Sequence, residues 1–322
     1  MKVAFLTKAR PELLSRIPPD LPHVLVEAGP DGRYSPEALA KVADVDAFLV
    51  SAEPVHEQLL AAAPRLKIVQ RMGVGYNTLD LEACAKRGIP CCNVAGVNKE
   101  AVAEHGMTLI AALAKNLREA EALTRKGDWA GARVLTKRSF ELNGRTLGVI
   151  GLGDTGSNLA RRAKAFSMKI VYNDIRPIDR KIVEELEATF LEKDELFRSA
   201  DVVSINTDLN DQSQGMVDAR RIALMKPTAL LICCARGHII DEAALRRALD
   251  SGKIAGAGID VFSEEPIVRE NPLLGAKNCL LTAHIAGVNP ESGVRGIRLS
   301  IENVQAVVER GAKPKWVVNG VK

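Results

Sequence analysis

Short apolar runs recur along this chain and alternate with stretches whose apolar residues fall three and four positions apart. Residues 3–6, 24–26, 47–50 and 68–69 read as buried strands, with helical patterns over 36–42 and 57–63 between them. The alternation resumes at residue 146, with strand-like runs at 147–150, 169–172, 202–206, 229–233, 256–261 and 279–281. Such alternation predicts parallel sheets with helices on their faces. Between the two series, 100–125 reads as one long helix, with Val102, Leu109, Leu113 and Leu117 on one stripe and Met107, Ile110, Ala111 and Ala114 on another side. A helix apolar on more than one side is buried in a core or by a second subunit. Residues 127–129 end it, and Trp129 is a candidate interface anchor. A last helix over 290–310 carries Val294, Ile297, Ile301, Val304 and Val308 on one face and is expected to pack back on the first segment.

Within this pattern, Leu147-Gly148-Val149-Ile150 runs into Gly151-Leu152-Gly153-Asp154-Thr155-Gly156, a helical pattern follows over 157–166, and the next strand-like run ends at Asp174. This is a G-x-G-x-x-G fingerprint in its required context of strand, turn, helix, strand and acid. Gly151 permits the tight turn, Gly153 lets backbone approach a pyrophosphate, and Gly156 lets helix pack close to strand. The helix N-terminus offers unpaired N–H groups to the phosphates. Asp174 is placed to accept from both ribose hydroxyls and would repel a 2′-phosphate, so NAD is expected over NADP. Asp154 puts a negative charge beside those phosphates and is expected to point to solvent. The fold expected is α/β, with two doubly wound parallel-sheet domains. A Rossmann NAD-binding domain covers 98–286. A discontinuous, flavodoxin-like substrate domain covers 1–97 and 287–322, and the active site is expected in the cleft between the two.

The chain of 322 residues is too long for one ordinary core, and at 47% hydrophobic and 26% charged it is of globular composition. The net charge of +4 is spread rather than clustered, which argues against nucleic-acid or membrane-surface binding. No apolar run reaches membrane-spanning length. The N-terminus moves straight into a strand pattern and then to Lys8 and Arg10, unlike a signal peptide. Cys84, Cys91, Cys92, Cys233, Cys234 and Cys279 include adjacent pairs but no C-x-x-C, so no metal site and no disulfide framework is expected, only reduced thiols in a cytoplasmic protein.

Three polar residues sit just after strand-like runs: Arg236, Glu265 and His284. In a parallel sheet such positions share one edge, where a dinucleotide also lies. Arg236 can grip a carboxylate in bidentate fashion and polarise a neighbouring carbonyl. His284 can exchange a proton with a substrate oxygen, and Glu265 can bond its far ring nitrogen and tune it. After the run at 68–69, Arg71-Met72-Gly73-Val74-Gly75 frees backbone amides that could hold a small carboxylate, or forms an ordinary turn. His105, inside the long helix, reads as structural, and His238 has no assigned role.

These residues resemble the D-isomer-specific 2-hydroxy acid dehydrogenases, the family that includes D-3-phosphoglycerate dehydrogenase and hydroxypyruvate reductase. The resemblance spans nearly the whole chain. It rests on Gly73-Val74-Gly75, Ala101-Val102-Ala103-Glu104-His105, the Gly151 to Asp174 fingerprint, Asp201-Val202-Val203-Ser204, Ala235-Arg236-Gly237, Asp260-Val261-Phe262 with Glu265-Pro266, and His284-Ile285-Ala286-Gly287. It implies Arg236, Glu265 and His284 as the catalytic set. It implies that Arg71, the amides of Gly73, Val74 and Gly75, and Arg236 bind substrate. Asp260 would hold the nicotinamide carboxamide. Gly151, Gly153, Asp154, Thr155, Gly156, Asp174, Asn206, Cys234, Ala235, Arg236, His284 and Gly287 would be further cofactor contacts. It also implies a homodimer formed through the long helix and the region around Trp129. Asn206 and Asp208 replace a usual histidine and proline, Cys233 a usual asparagine and Ala283 a usual proline, departures that bear on cofactor contacts rather than reaction type. The expected function is NAD-dependent hydride transfer between a 2-keto acid and its D-2-hydroxy acid. A short D-3-phosphoglycerate dehydrogenase or a hydroxypyruvate/glyoxylate reductase are alternatives within that class, and a non-catalytic NAD(H)-sensing corepressor-like protein is the alternative outside it.

Overall fold

The computed structural model describes residues 1–7 and 15–321, so Lys8 and Arg10 lie outside the described residues. The chain divides into two compact units, Met1–Asn98 with Asn289–Lys322, and Lys99–Val288. In the first unit, β1 (Val3–Leu6), β2 (His23–Val26), β3 (Ala47–Val50), β4 (Ile68–Arg71) and β5 (Cys91–Cys92) form a five-stranded sheet in the order β2-β1-β3-β4-β5. Every pairing is parallel. The unbroken apolar runs of β1 and β3 are buried throughout, as strands covered on both faces must be. The two-residue strand β5 carries no periodic signal of its own.

Helix Pro290–Arg310 completes this unit. Asn289 and Ser292 cap it reciprocally, and Gly311 ends it in the left-handed conformation. Ile297, Ile301 and Val304 are buried as expected, but Val294 is 50% exposed. The buried face is rotated toward small and polar residues, Gly296, Ser300 and Asn303. A Cβ on Gly296 would stand 2.6 Å from the Met72 carbonyl oxygen, so glycine alone allows this approach. Asn303 Nδ2 donates to Gln70 Oε1 at 2.7 Å, and Gln70 Nε2 donates to the Asn93 carbonyl at 3.0 Å. A stripe chosen by hydrophobicity alone therefore misses the centre of the contact.

The second unit holds β6 (Thr146–Ile150), β7 (Lys169–Asn173), β8 (Thr189–Phe190), β9 (Val202–Ile205), β10 (Leu230–Cys233), β11 (Gly256–Ile259) and β12 (Cys279–Leu281). They form a seven-stranded sheet in the order β12-β11-β10-β9-β6-β7-β8. All pairings are parallel, and the strand order reverses between β6 and β9, the switch point of a dinucleotide fold. β8, short and exposed, is one strand more than the hydrophobic runs predict.

The single helix expected over 100–125 is instead two, Lys99–Ala114 and Leu117–Arg125. Asn116, at φ 50°, breaks the pattern, because a left-handed residue cannot continue a right-handed helix. Leu117, expected on the buried stripe, is 59% exposed beyond the break. The first helix crosses the sheet closely. A Cβ on Gly256 would lie 3.3 Å from Leu113 Cδ2, and one on Gly258 would lie 3.0 Å from Leu109 Cβ. Among the described residues no helix is long and apolar enough to cross a membrane.

Candidate active site

The fingerprint loop has the geometry its glycines require. Gly151 sits at φ 87°, and a Cβ on it would stand 2.8 Å from the Asn206 carbonyl oxygen. A Cβ on Gly156 would stand 2.0 Å from the Gly151 carbonyl oxygen, so helix Asp154–Ala165 meets the turn through a bare backbone. The space in front of Gly153 is open, its nearest neighbour being Arg176 Nη2 at 3.9 Å. The N–H groups of Asp154, Thr155 and Gly156 have no acceptor among the described residues, and the Ser157 N–H opens the helical series by donating to the Gly153 carbonyl at 2.9 Å. An open glycine beside unpaired amides at a helix N-terminus fits a pyrophosphate. Asp154 points outward, 64% exposed, with Lys99 Nζ at 3.9 Å. Thr155 lies in the same first turn, half-buried.

At the end of β7, Asp174 Oδ2 accepts from the Leu152 N–H and Oδ1 from the Arg176 N–H, both at 2.9 Å. Its carboxylate is thus clamped to the fingerprint loop. Asp174 and Gly151 line a small pocket together with Thr207, Asn210, Ser213 and Lys193, residues that carry no recognisable sequence signal. Asn206 turns its side chain back to Ser204, with Nδ2 donating to Oγ at 3.1 Å.

Across the adjacent strands β10, β11 and β12, the three predicted polar residues follow the C-terminal ends. His284 Nδ1 and Glu265 Oε2 are 2.6 Å apart, and Glu265 Oε1 accepts from the Phe262 N–H at 2.9 Å. Arg236 is half-buried, with Nη1 donating to the Ala235 carbonyl at 2.6 Å. Its neighbour Gly237 ties the loops together. A Cβ there would fall 1.9 Å from the Phe262 carbonyl carbon and 2.3 Å from the Ser263 nitrogen. The structure thus pairs Glu265 with His284 and brings the Arg236 turn onto the backbone beside Glu265.

Beneath these loops lie buried acids. Asp260 is fully buried; its Oδ1 accepts from Thr282 Oγ1 at 2.6 Å and from the Ile285 N–H at 3.0 Å, and its Oδ2 from the Ala286 N–H at 2.9 Å. Glu242 binds the Ser263 N–H at 2.7 Å and Asn271 Nδ2 at 2.8 Å, which anchors the loop leading to Glu265. Glu242 escapes a sequence reading because an acid in a first helical turn is ordinary. Cys233 and Cys234 lie beside the Arg236 turn. Burial pushes the Cys233 thiol up to about 11 and raises Cys234 as well, so both are neutral thiols near neutrality. Ala235 is half-buried in the same turn, and Gly287 follows the His284 turn. Among the described residues no group of acids, histidines and cysteines forms a metal site.

In the first unit, the loop after β4 presents amides and withdraws its carbonyls. The carbonyls of Gly73, Val74 and Gly75 accept from the Val94 N–H, Asn93 Nδ2 and Arg71 Nε respectively, at 3.2, 2.8 and 2.7 Å. Their N–H groups meet no acceptor among the described residues. Arg71 also donates through Nη1 to the Val50 carbonyl at 3.2 Å, and burial lowers its proton affinity. Its guanidinium therefore braces the loop.

Residues 107–286 match the family model of the D-isomer specific 2-hydroxyacid dehydrogenase NAD binding domain. A glyoxylate reductase of Thermococcus gammatolerans is 39% identical over 322 residues, covering 98% of this chain and 95% of its own. A glyoxylate reductase of Aeropyrum pernix is 37% identical over 284 residues, covering 87% and 84%. The holo form of Rhodotorula graminis D-mandelate dehydrogenase superposes with a TM-score of 0.89 at 28% identity, covering 100% of this chain and 98% of that one. A nicotinamide-dependent oxidoreductase is the class that this sheet and fingerprint define. The chain belongs to the D-isomer specific 2-hydroxyacid dehydrogenase family and is an NAD-dependent enzyme of that family.

Proposed function

We propose that the protein reduces a small 2-keto acid to its 2-hydroxy acid with NADH, with glyoxylate as the first substrate to consider. The observation that carries this reading is the 2.6 Å contact between His284 Nδ1 and Glu265 Oε2 at the C-terminal edge of the sheet. The names of the glyoxylate reductases at 36–39% identity support the choice of substrate. A nicotinamide dinucleotide held at the fingerprint loop would supply the hydride for the keto carbon. The imidazolium donates its Nε2 proton to the keto oxygen as that oxygen gains charge. Glu265 accepts from Nδ1–H before and after the transfer, so the ring is left as the Nδ1–H tautomer. Arg236 holds the substrate carboxylate by paired N–H donors and draws charge from the adjacent carbonyl. Within the first unit, Arg71 braces the turn whose Gly73, Val74 and Gly75 amides are donors suited to a small carboxylate. Asp260 is spent within the protein, so its contribution to holding a carboxamide runs through the loop it fixes.

The clamped Asp174 carboxylate supports NAD over NADP, because it would face a 2′-phosphate as a like charge. We assign the exposed apolar side chains Leu117, Trp129 and Val134 to a homodimer contact. A groove of about 670 Å³ beside Leu117 and Arg138, at the N-terminal edge of the sheet, supports that assignment. The free cysteines support a reducing, cytoplasmic setting.

Light scattering should return twice the chain mass; a monomer at micromolar concentration would contradict the dimer. Replacing His284 with Ala should lower kcat for glyoxylate reduction by roughly 10²–10⁴ while NADH fluorescence titration gives an unchanged Kd. Near-normal turnover would remove His284 as the proton donor. Wild-type protein that binds NADH yet reduces none of glyoxylate, hydroxypyruvate or pyruvate would favour a nucleotide-sensing role instead. Asp174→Ala, which leaves Arg176 free to meet a phosphate, should shift the NADPH to NADH affinity ratio upward by about tenfold; an unmoved ratio would refute the ribose assignment.

A further inference from the structure

We propose that His105 is a positioning residue of the proton-donating loop, acting on His284 through Thr282 and Asp260. The inference rests on the reading of His284 given above. Its origin is a register between a helix and a strand. Leu113 lies over Gly256 and Leu109 over Gly258. Four residues of helix advance about 6 Å and two residues of strand about 6.6 Å, so the next pair in the series is residue 105 over residue 260. His105 Nε2 stands 3.7 Å from Asp260 Oδ1. The glycines at 256 and 258 let the helix sit low enough for an imidazole to reach.

Thr282 fills the step between them. Its hydroxyl donates to Asp260 Oδ1 at 2.6 Å, and it has one proton to give. The 3.0 Å contact between His105 Nε2 and Thr282 Oγ1 is therefore an N–H of the ring donated to the hydroxyl oxygen. A directed chain results, from His105 through Thr282 to Asp260. On its far side the same carboxylate takes the N–H groups of Ile285 and Ala286, and the Asp260 carbonyl takes the His284 N–H at 2.7 Å. His284 sits at φ 52°, a left-handed conformation that a residue with a side chain holds only when its surroundings enforce it. Packing alone would favour another leucine at 105, continuing Leu109 and Leu113. The imidazole supplies what leucine lacks, a donor that orients the hydroxyl and thereby the carboxylate.

The test uses the full chain with His105→Leu, Thr282→Val, the double variant and His105→Gln, the last of which keeps an N–H donor. Amide hydrogen exchange at Ile285 and Ala286 reads the loop, and exchange in β6 reads the fold. In His105→Leu the two loop amides should exchange about tenfold faster, the scale of one buried hydrogen bond, with β6 unchanged. The kcat for 2-keto acid reduction should fall by a similar factor at constant NADH Kd. Thr282→Val should reproduce both effects, the double variant should go no further than either single, and His105→Gln should restore most of the protection. Unchanged loop exchange in His105→Leu, equal acceleration in β6, or losses that multiply in the double variant would overturn the proposal. If the wild type reduces no 2-keto acid, the functional reading falls, while the exchange data still decide the role of His105.

Discussion

The turn that carries His284 is held by one buried carboxylate. Asp260 has no access to solvent, and an unpaired charge there would cost several kcal/mol. It is tolerated because a hydroxyl and two backbone amides converge on it, each bond charge-assisted and therefore stronger than a neutral one. Those amides belong to the residues directly after His284. The desolvation cost of the acid thus becomes a constraint on the position of the imidazole. Glu265 is fixed by the same logic from the other side, through the Phe262 amide and the Glu242 anchor on Ser263. On the proposed mechanism, the histidine and its acid partner are set before substrate arrives, and little reorganisation remains for the chemical step.

The parallel sheet is what makes such an arrangement available. Adjacent strands all running one way place their following loops along one edge. Glycine at 237 then lets two of those loops touch through backbone alone, and glycines at 151 and 156 do the same for the fingerprint turn. At each of these places a single Cβ would force main chain apart. The glycines of β11 serve a different end, because they admit a helix close to the sheet.

Much of this was legible in the residues. Long buried runs such as 47–50 and 147–150 announce strands, and the spacing of Gly151, Gly153, Gly156 and Asp174 announces a dinucleotide loop. The positions of Arg236, Glu265 and His284 after strands imply a shared edge. What stayed hidden was set by tertiary contacts. β5 and β8 are too short to show a period. Asn116 breaks a helix whose apolar pattern runs straight through it, because local backbone geometry outweighs propensity there. The last helix buries Gly296 and Asn303 rather than Val294, since a close carbonyl and a buried amide pair decide its rotation. Glu242 and Thr282 gain meaning only from partners twenty or more residues away. The G-x-G-x-D run from β11 into Asp260, opposite His105, Leu109 and Leu113, is a signal that a paired reading of helix and strand could have found.

Asp260→Asn offers the sharpest test, with amide exchange at Ile285 and Ala286 and kcat for 2-keto acid reduction measured on the same sample. Asparagine keeps the shape but turns one acceptor into a donor that faces a donor. Both amides should lose protection by about tenfold or more, and kcat should fall with them while the amides of β6 stay protected. An inactive variant with wild-type protection at Ile285 and Ala286, or an active one without it, would contradict a loop held in place by this carboxylate.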